Sequence, residues 1–185
     1  MSAPRPWQIL TEKTLLDRRW LRLREQRVRL SNGHEIEQFH LIDGPDWGAV
    51  VAVTPDERLV MVRQYRHGAN AASLELPAGV IEPSETPALA VQRELLEETG
   101  YIAEHWEPLV AVRPEPARHT NRAHFFVALG ARFSAIATPE PSEELFVELH
   151  PVKDLEGLIA SGEISHGVHI GVILLAARRG FLRFD

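Results

Sequence analysis

Residues 79–101 read GVIEPSETPALAVQRELLEETGY, and their spacing decides how the rest of the chain is read. Thr86 is a good N-cap, Pro87 suits the first helical position and Gly100 suits the residue just past the end, so a helix is predicted from Pro87 to Thr99. Ala88, Val91 and Leu95 recur at helical spacing and give that helix a buried face. Glu94 and Glu98 are four apart, which puts two carboxylates on one face, with Glu97 one position round and Glu82 and Glu85 in the preceding loop. Five carboxylates against the guanidinium of Arg93 leave a local charge near −4. Like charges at this spacing destabilise a helix by about a few tenths of a kcal/mol per pair. A hard divalent cation reverses that sign, because carboxylate oxygens are the ligands that Mg²⁺ and Mn²⁺ prefer. Mg²⁺ keeps several waters and shares its shell with substrate phosphates, so one such helix plus a diphosphate makes a complete site.

Around this stretch the pattern alternates between strands and a few helices. Leu74-Glu75-Leu76-Pro77-Ala78-Gly79 reads as a short strand entering a glycine loop. Ala49–Thr54 and Leu59–Tyr65 read as strands joined by Pro55-Asp56-Glu57, and further strands are predicted at Leu109–Val112, His124–Leu129 and Leu145–Leu149. Helices near Asp154–Ser161 and His166–Arg179 follow. Residues 22–43 read as a hairpin turning at Ser31-Asn32-Gly33, since Asn and Gly both accept positive φ. Gly44-Pro45-Asp46 separates an N-terminal β element (residues 1–45) from a main body (residues 46–185). The order indicates an α/β or α+β class with a mixed sheet.

The 185 residues are 44% hydrophobic and 25% charged, which allows a sizeable core and excludes a disordered tail, a collagen-like rod or a disulfide-stapled miniprotein. With no cysteine, neither a thiolate metal site nor a cysteine nucleophile is possible. A net charge of −6 gives a nucleic-acid backbone no electrostatic help. The start of the chain lacks a signal-peptide apolar stretch, and the run Ile170–Ala177 is far below the roughly 20 residues that span a bilayer. The expectation is a soluble, cytoplasmic protein with no nucleic-acid or membrane partner. His166 and His169, three apart at a helix start, read as surface spacing, and Trp20 and Trp47 as core or interface packing.

Gly79, Glu85, Arg93-Glu94-Leu95, Glu97-Glu98 and Gly100 stand at the intervals of the Nudix box, and the chain resembles the Nudix hydrolases. Tyr101 departs from the pattern, which has an aliphatic residue there. The resemblance implies an α/β/α sandwich with a mixed sheet, the box forming a loop–helix–loop. It implies that Glu94 and Glu98 coordinate a divalent metal, Mg²⁺ or Mn²⁺, with Glu97 contributing directly or through water and the Ala78 carbonyl as a backbone ligand. Arg93 and Glu85 then resemble the pair that orients the helix carboxylates.

Val62-Arg63-Gln64-Tyr65-Arg66 and Leu74–Gly79 resemble the ADP-ribose pyrophosphatase and nucleoside-diphosphate-sugar hydrolase subfamily, and so do the N-terminal hairpin and Ser165-His166-Gly167. In that likeness Arg66 reaches the diphosphate and Glu75 lines the substrate site, with Arg63 ranked below Arg66 as a candidate. Pro116, sixteen residues past Gly100, fits the subfamily, with Pro114 close by. Ala117-Arg118-His119-Thr120-Asn121-Arg122 replaces the usual glycine, either as a plain polar loop or as one that reads a different sugar or a terminal phosphate. The implied reaction is attack of metal-activated water on the diphosphate of ADP-ribose, giving AMP and ribose 5-phosphate. The alternatives are GDP-mannose or another nucleoside diphosphate sugar, a modified nucleoside triphosphate, or an ADP-ribose sensor that does not cleave. The general base falls in Glu140-Pro141-Ser142-Glu143-Glu144, Glu143 being favoured over Glu140 and Glu144, with Glu97 as the fallback. Subfamily members pair as homodimers, which makes residues 1–45 the dimerisation candidate.

Overall fold

The computed structural model describes residues 5–139 and 142–184. Three strands come first: β1 (Gln8–Arg18), β2 (Leu21–Arg29) and β3 (Glu35–Asp43). Then follow β4 (Trp47–Val53), β5 (Arg58–Arg66), β6 (Ala71–Glu75), β7 (Ala78–Val80) and helix α1 (Pro87–Thr99). The remainder is β8 (Tyr101–Ile102), β9 (His105–Val112), β10 (Ala123–Leu129), β11 (Arg132–Phe133), β12 (Leu145–Pro151), a 3₁₀ turn at Val152–Asp154, α2 (Leu155–Ala160) and α3 (Gly167–Arg178). The chain divides into two compact units, residues up to 46 with 113–122, and residues 47–112 with 123 onward.

In the second unit a mixed sheet runs β12-β5-β4-β10-β9, with β6 on β5 and β7 on β4. β4 and β10 are parallel and the other pairs antiparallel. The run Ala49-Val50-Val51-Ala52 is wholly buried because β4 is covered on both faces. Ala49 and Val51 pack with Leu155 of α2 and with Val172 and Ile173 of α3. Val50 and Ala52 pack instead with Val91 and Leu95 of α1, which gives the α/β/α sandwich implied by the resemblance. Burying a side chain of this size contributes about 1.5–3 kcal/mol. That outweighs the few tenths that the like-charged face of α1 costs. The predicted strand at Leu74–Gly79 is two strands, since Pro77 carries no amide for a ladder. The break at Leu76-Pro77 carries the chain from beside β5 to beside β4.

Both ends of α1 follow the sequence reading. Thr86 accepts from the Leu89 amide at 3.3 Å, and Gly100 takes φ +74°. The Gly100 carbonyl accepts from the amides of Ser134 (2.9 Å) and Ala135 (3.2 Å), and the Glu97 carbonyl from Thr138 (2.8 Å), so residues 134–138 close the helix C-terminus. A Cβ on Gly100 would overlap the Ala135 carbonyl oxygen. Gly100→Ala therefore combines left-handed strain with a backbone collision, and we expect a loss of about 2 kcal/mol or more in urea unfolding. Gly68→Ala, where an added Cβ meets nothing within 4 Å, is the near-neutral control.

The first unit is a three-stranded antiparallel sheet, β1-β2-β3, so the predicted hairpin is its last two strands. β1 escaped the sequence reading because it has no buried residue and pairs through charge, with Lys13 2.7 Å from Glu25 and Arg24 2.7 Å from Glu12. At the turn Gly33 alone takes positive φ, at +86°, while Asn32 accepts from the His34 amide at 3.0 Å. Trp20 belongs to no core: it is exposed, with the Arg19 guanidinium 4.3 Å from its ring centroid. Residues 113–122 return to this unit. Ile42 donates to Arg118 O (2.9 Å) and accepts from the Thr120 amide (3.1 Å), Thr120 Oγ1 donates to Asp43 (2.8 Å) and Asn121 Nδ2 to Pro45 O (3.0 Å). The loop Ala117–Arg122 thus spends these polar groups on β3 and the turn after it.

Candidate active site

Arg93 organises the acidic face of α1. Nε and Nη2 donate to the two Glu85 oxygens (2.7 and 2.9 Å), Nη1 to Glu94 (2.8 Å) and Glu97 (3.0 Å), and Nη2 also to Val80 O (3.2 Å). Five N–H groups meet five acceptors, which only a planar guanidinium can do. Glu98 lies deeper and accepts from the Ala78 amide at 2.9 Å, tying α1 to β7. A Cβ on Gly79 would overlap the Glu94 carboxylate, so the glycine makes room for that side chain.

Burial raises the pKa of Glu94 against the lowering pull of Arg93, and the charges of Glu143 and Glu97 add to the rise. Glu98 is pushed well above the usual carboxylate range, first by burial and then by Glu94 and Glu143. Glu98 feels the charge of Glu94, both feel that of Glu143, and carboxylate oxygens are the kind of donor a divalent cation takes. Among the described residues no three Asp, Glu, His or Cys side chains close on one point. A cation here would draw its other ligands from water and phosphate. Glu97 is more exposed and sits with Arg93. Glu144 is exposed, and Glu140 lies outside the described residues.

Away from the box helix, Glu75 at the end of β6 is 1% exposed. Arg66 grips it with both ends of its fork, Nε to Oε1 at 3.0 Å and Nη2 to Oε2 at 2.6 Å. The charges of Glu98 and Glu143 also act on Arg66, which links this pair to the acidic helix face. Arg63 stands apart. Residues three apart on a strand point to opposite faces, and its guanidinium is taken by Glu148 (2.5 and 3.2 Å) and Glu163 (2.8 Å).

The sequence reading missed two residues here. His169 is buried, not on the surface, and accepts the Leu76 amide on Nδ1 at 3.3 Å. His166 stacks on it with ring centroids 4.0 Å apart, and Trp47 packs against both rings at 6.0 and 5.8 Å. The signal available was the apolar company of Val168 and Ile170 around an i, i+3 histidine pair. Burial holds His169 well below the usual histidine pKa, with His166 and Arg66 adding to it. An unfolded chain takes that proton near pH 6.5, and the folded chain only at lower pH. The stability linked to neutral His169 is complete above about pH 6.5 and falls by about 1.4 kcal/mol per unit as the pH drops below it. We expect urea midpoints measured between pH 7 and 5 to fall more steeply for the wild type than for His169→Asn.

Comparison with known proteins accords with this geometry. The NUDIX domain model matches residues 44–168, and that of the nucleoside diphosphate sugar hydrolase N-terminal domain matches residues 7–42. The chain is 33% identical to the ADP-ribose pyrophosphatase of Bacillus subtilis over 140 residues, 74% of each protein. It is 36% identical to the methanol dehydrogenase activator of Bacillus methanolicus over 112 residues, spanning 60% of that protein. A solved structure described as an ADP compounds hydrolase superposes with a TM-score of 0.84 at 21% identity, over 96% of both chains. A box helix held by Arg93, on an α/β/α sandwich matched over most of its length, makes this chain a member of the NUDIX family.

Proposed function

We propose that this protein hydrolyses the diphosphate bond of nucleoside diphosphate sugars, with ADP-ribose cleaved to AMP and ribose 5-phosphate. One observation carries the reading: Arg66 is gripped through both ends of its fork by the buried Glu75 and also feels the charges of Glu98 and Glu143, which supports a guanidinium for phosphate near carboxylates for a cation. The relative named ADP-ribose pyrophosphatase and the match to a nucleoside-diphosphate-sugar hydrolase N-terminal model support the substrate class.

Arg66 binds the diphosphate oxygens through the edge of its fork that Glu75 leaves open, and Glu75 fixes its orientation. Glu94, Glu98 and the Ala78 carbonyl would hold the cation, Mg²⁺ or Mn²⁺, with Glu97 contributing directly or through water. When bound, that ion neutralises charge on the phosphoryl oxygens and acidifies a water. Glu85 and Arg93 hold the helix carboxylates in place. The water oxygen attacks one phosphorus, the anhydride P–O bond breaks, and Glu143 takes the water's proton. Residues 1–45 form the homodimer contact, and the protein works in the cytoplasm.

The test is turnover of ADP-ribose, GDP-mannose, UDP-glucose and 8-oxo-dGTP with Mg²⁺, products being resolved by chromatography. AMP and ribose 5-phosphate from ADP-ribose are expected. Pyrophosphate from 8-oxo-dGTP alone, or ADP-ribose bound and not cleaved, overturns the reading.

A further inference from the structure

We propose that His169 is a positioning residue for the substrate side of the site: its Nδ1 holds the Leu76 amide and, through it, the end of β6 that presents Glu75, which in turn grips Arg66. The inference rests on reading Arg66 and Glu75 as the substrate-binding pair. β6 ends at Glu75 and the next residue but one is Pro77, so the backbone at Leu76 has left one strand and not yet joined the next. His169 supplies the acceptor at that point, 3.3 Å from the Leu76 nitrogen. The carboxylate just upstream is buried and grips Arg66 through both oxygens, so a shift of Leu76 passes to the guanidinium.

The ring is itself fixed. It stacks on His166 at 4.0 Å and 15°, the His169 amide donates to His166 Nδ1 at 3.5 Å, and Trp47 and Phe125 lie at centroid distances of 5.8 and 6.3 Å. Because Nδ1 accepts, Nε2 carries the proton, and that N–H is buried with no hydrogen-bond partner among the described residues. A leucine would fill the same space without an orphaned donor. Nδ1 makes the ring's hydrogen bond among the described residues, and the rest of the ring packs.

His169→Asn and His169→Leu separate this role from packing. The asparagine Oδ1 occupies the position of Nδ1 and keeps the acceptor while losing volume; leucine keeps the volume and loses the acceptor. With ADP-ribose at saturating Mg²⁺, we expect His169→Leu to raise KM about tenfold with kcat within about twofold, the range of one lost hydrogen bond. His169→Asn stays within about threefold of the wild-type KM although its Tm falls further. The Leu76 amide exchanges faster with deuterium in His169→Leu and not in His169→Asn. The reverse order in KM and exchange, or no change in either, overturns the inference. A wild type that cleaves no nucleoside diphosphate sugar overturns the functional reading instead, and the amide-exchange comparison then decides the positioning role by itself.

Discussion

Glu98→Gln is expected to lower kcat/KM for ADP-ribose by about 10³, roughly 4 kcal/mol of transition-state stabilisation, with the fold intact. The amide oxygen still accepts from the Ala78 N–H, so the link between α1 and β7 survives. What disappears is a charge that burial, Glu94 and Glu143 all disfavour. Without divalent ions the variant therefore melts at or above the wild-type temperature. Adding Mg²⁺ stabilises the wild type by mass action, by about 2.7 kcal/mol at a hundred times Kd, and raises its Tm, and the variant loses most of that gain. Calorimetry with and without Mg²⁺, beside initial rates, checks both halves. A variant that keeps Mg²⁺-dependent turnover within tenfold of wild type would remove Glu98 from the cation site.

Arg66→Ala is expected to lower stability and affinity together. Removing one partner of a fully buried pair costs about 3–5 kcal/mol. Arg66 keeps 45% of its side chain exposed, so screening brings the expected loss to about 2 kcal/mol. The loss arises from Glu75, 1% exposed and left without its counter-ion. Glu75→Gln in the same chain should restore most of the stability, since an amide tolerates that position better than a lone carboxylate. It should not restore substrate binding. KM stays about 10- to 100-fold high in the double variant, the range of one lost charge-assisted contact to phosphate. Urea unfolding and steady-state kinetics on the single and double variants form the test. Recovery of KM along with stability would show that Arg66 serves Glu75 and not the diphosphate.

The same two residues show what can be read in a linear chain. Glu98 was visible because Glu94, Glu98, Thr86 and Gly100 sit within one helix, where a period of 3.6 turns spacing into geometry. Buried strands announced themselves likewise: β4 is apolar at each residue from Ala49 to Val53 because both its faces are covered. The resemblance ranked Arg66 above Arg63, but the partners that separate them were not visible. Both are strand arginines three residues apart, and their partners lie elsewhere, Glu148 and Glu163 for one and Glu75 for the other.

By itself, then, the sequence determined the box helix, its caps, its carboxylate face and the mixed α/β class, all of which arise from interactions among near neighbours. Tertiary structure decided that β1 completes a three-stranded sheet and that residues 113–122 return to β3. It also decided that an apparent surface histidine is buried against Leu76, 93 residues away, and that the charge of Glu143 is felt by Glu94, Glu98 and Arg66. Such contacts join segments far apart in the chain. Apolar burial, hydrogen bonds and ion pairs between distant segments set which of these contacts form, and they leave no periodic trace in either segment alone.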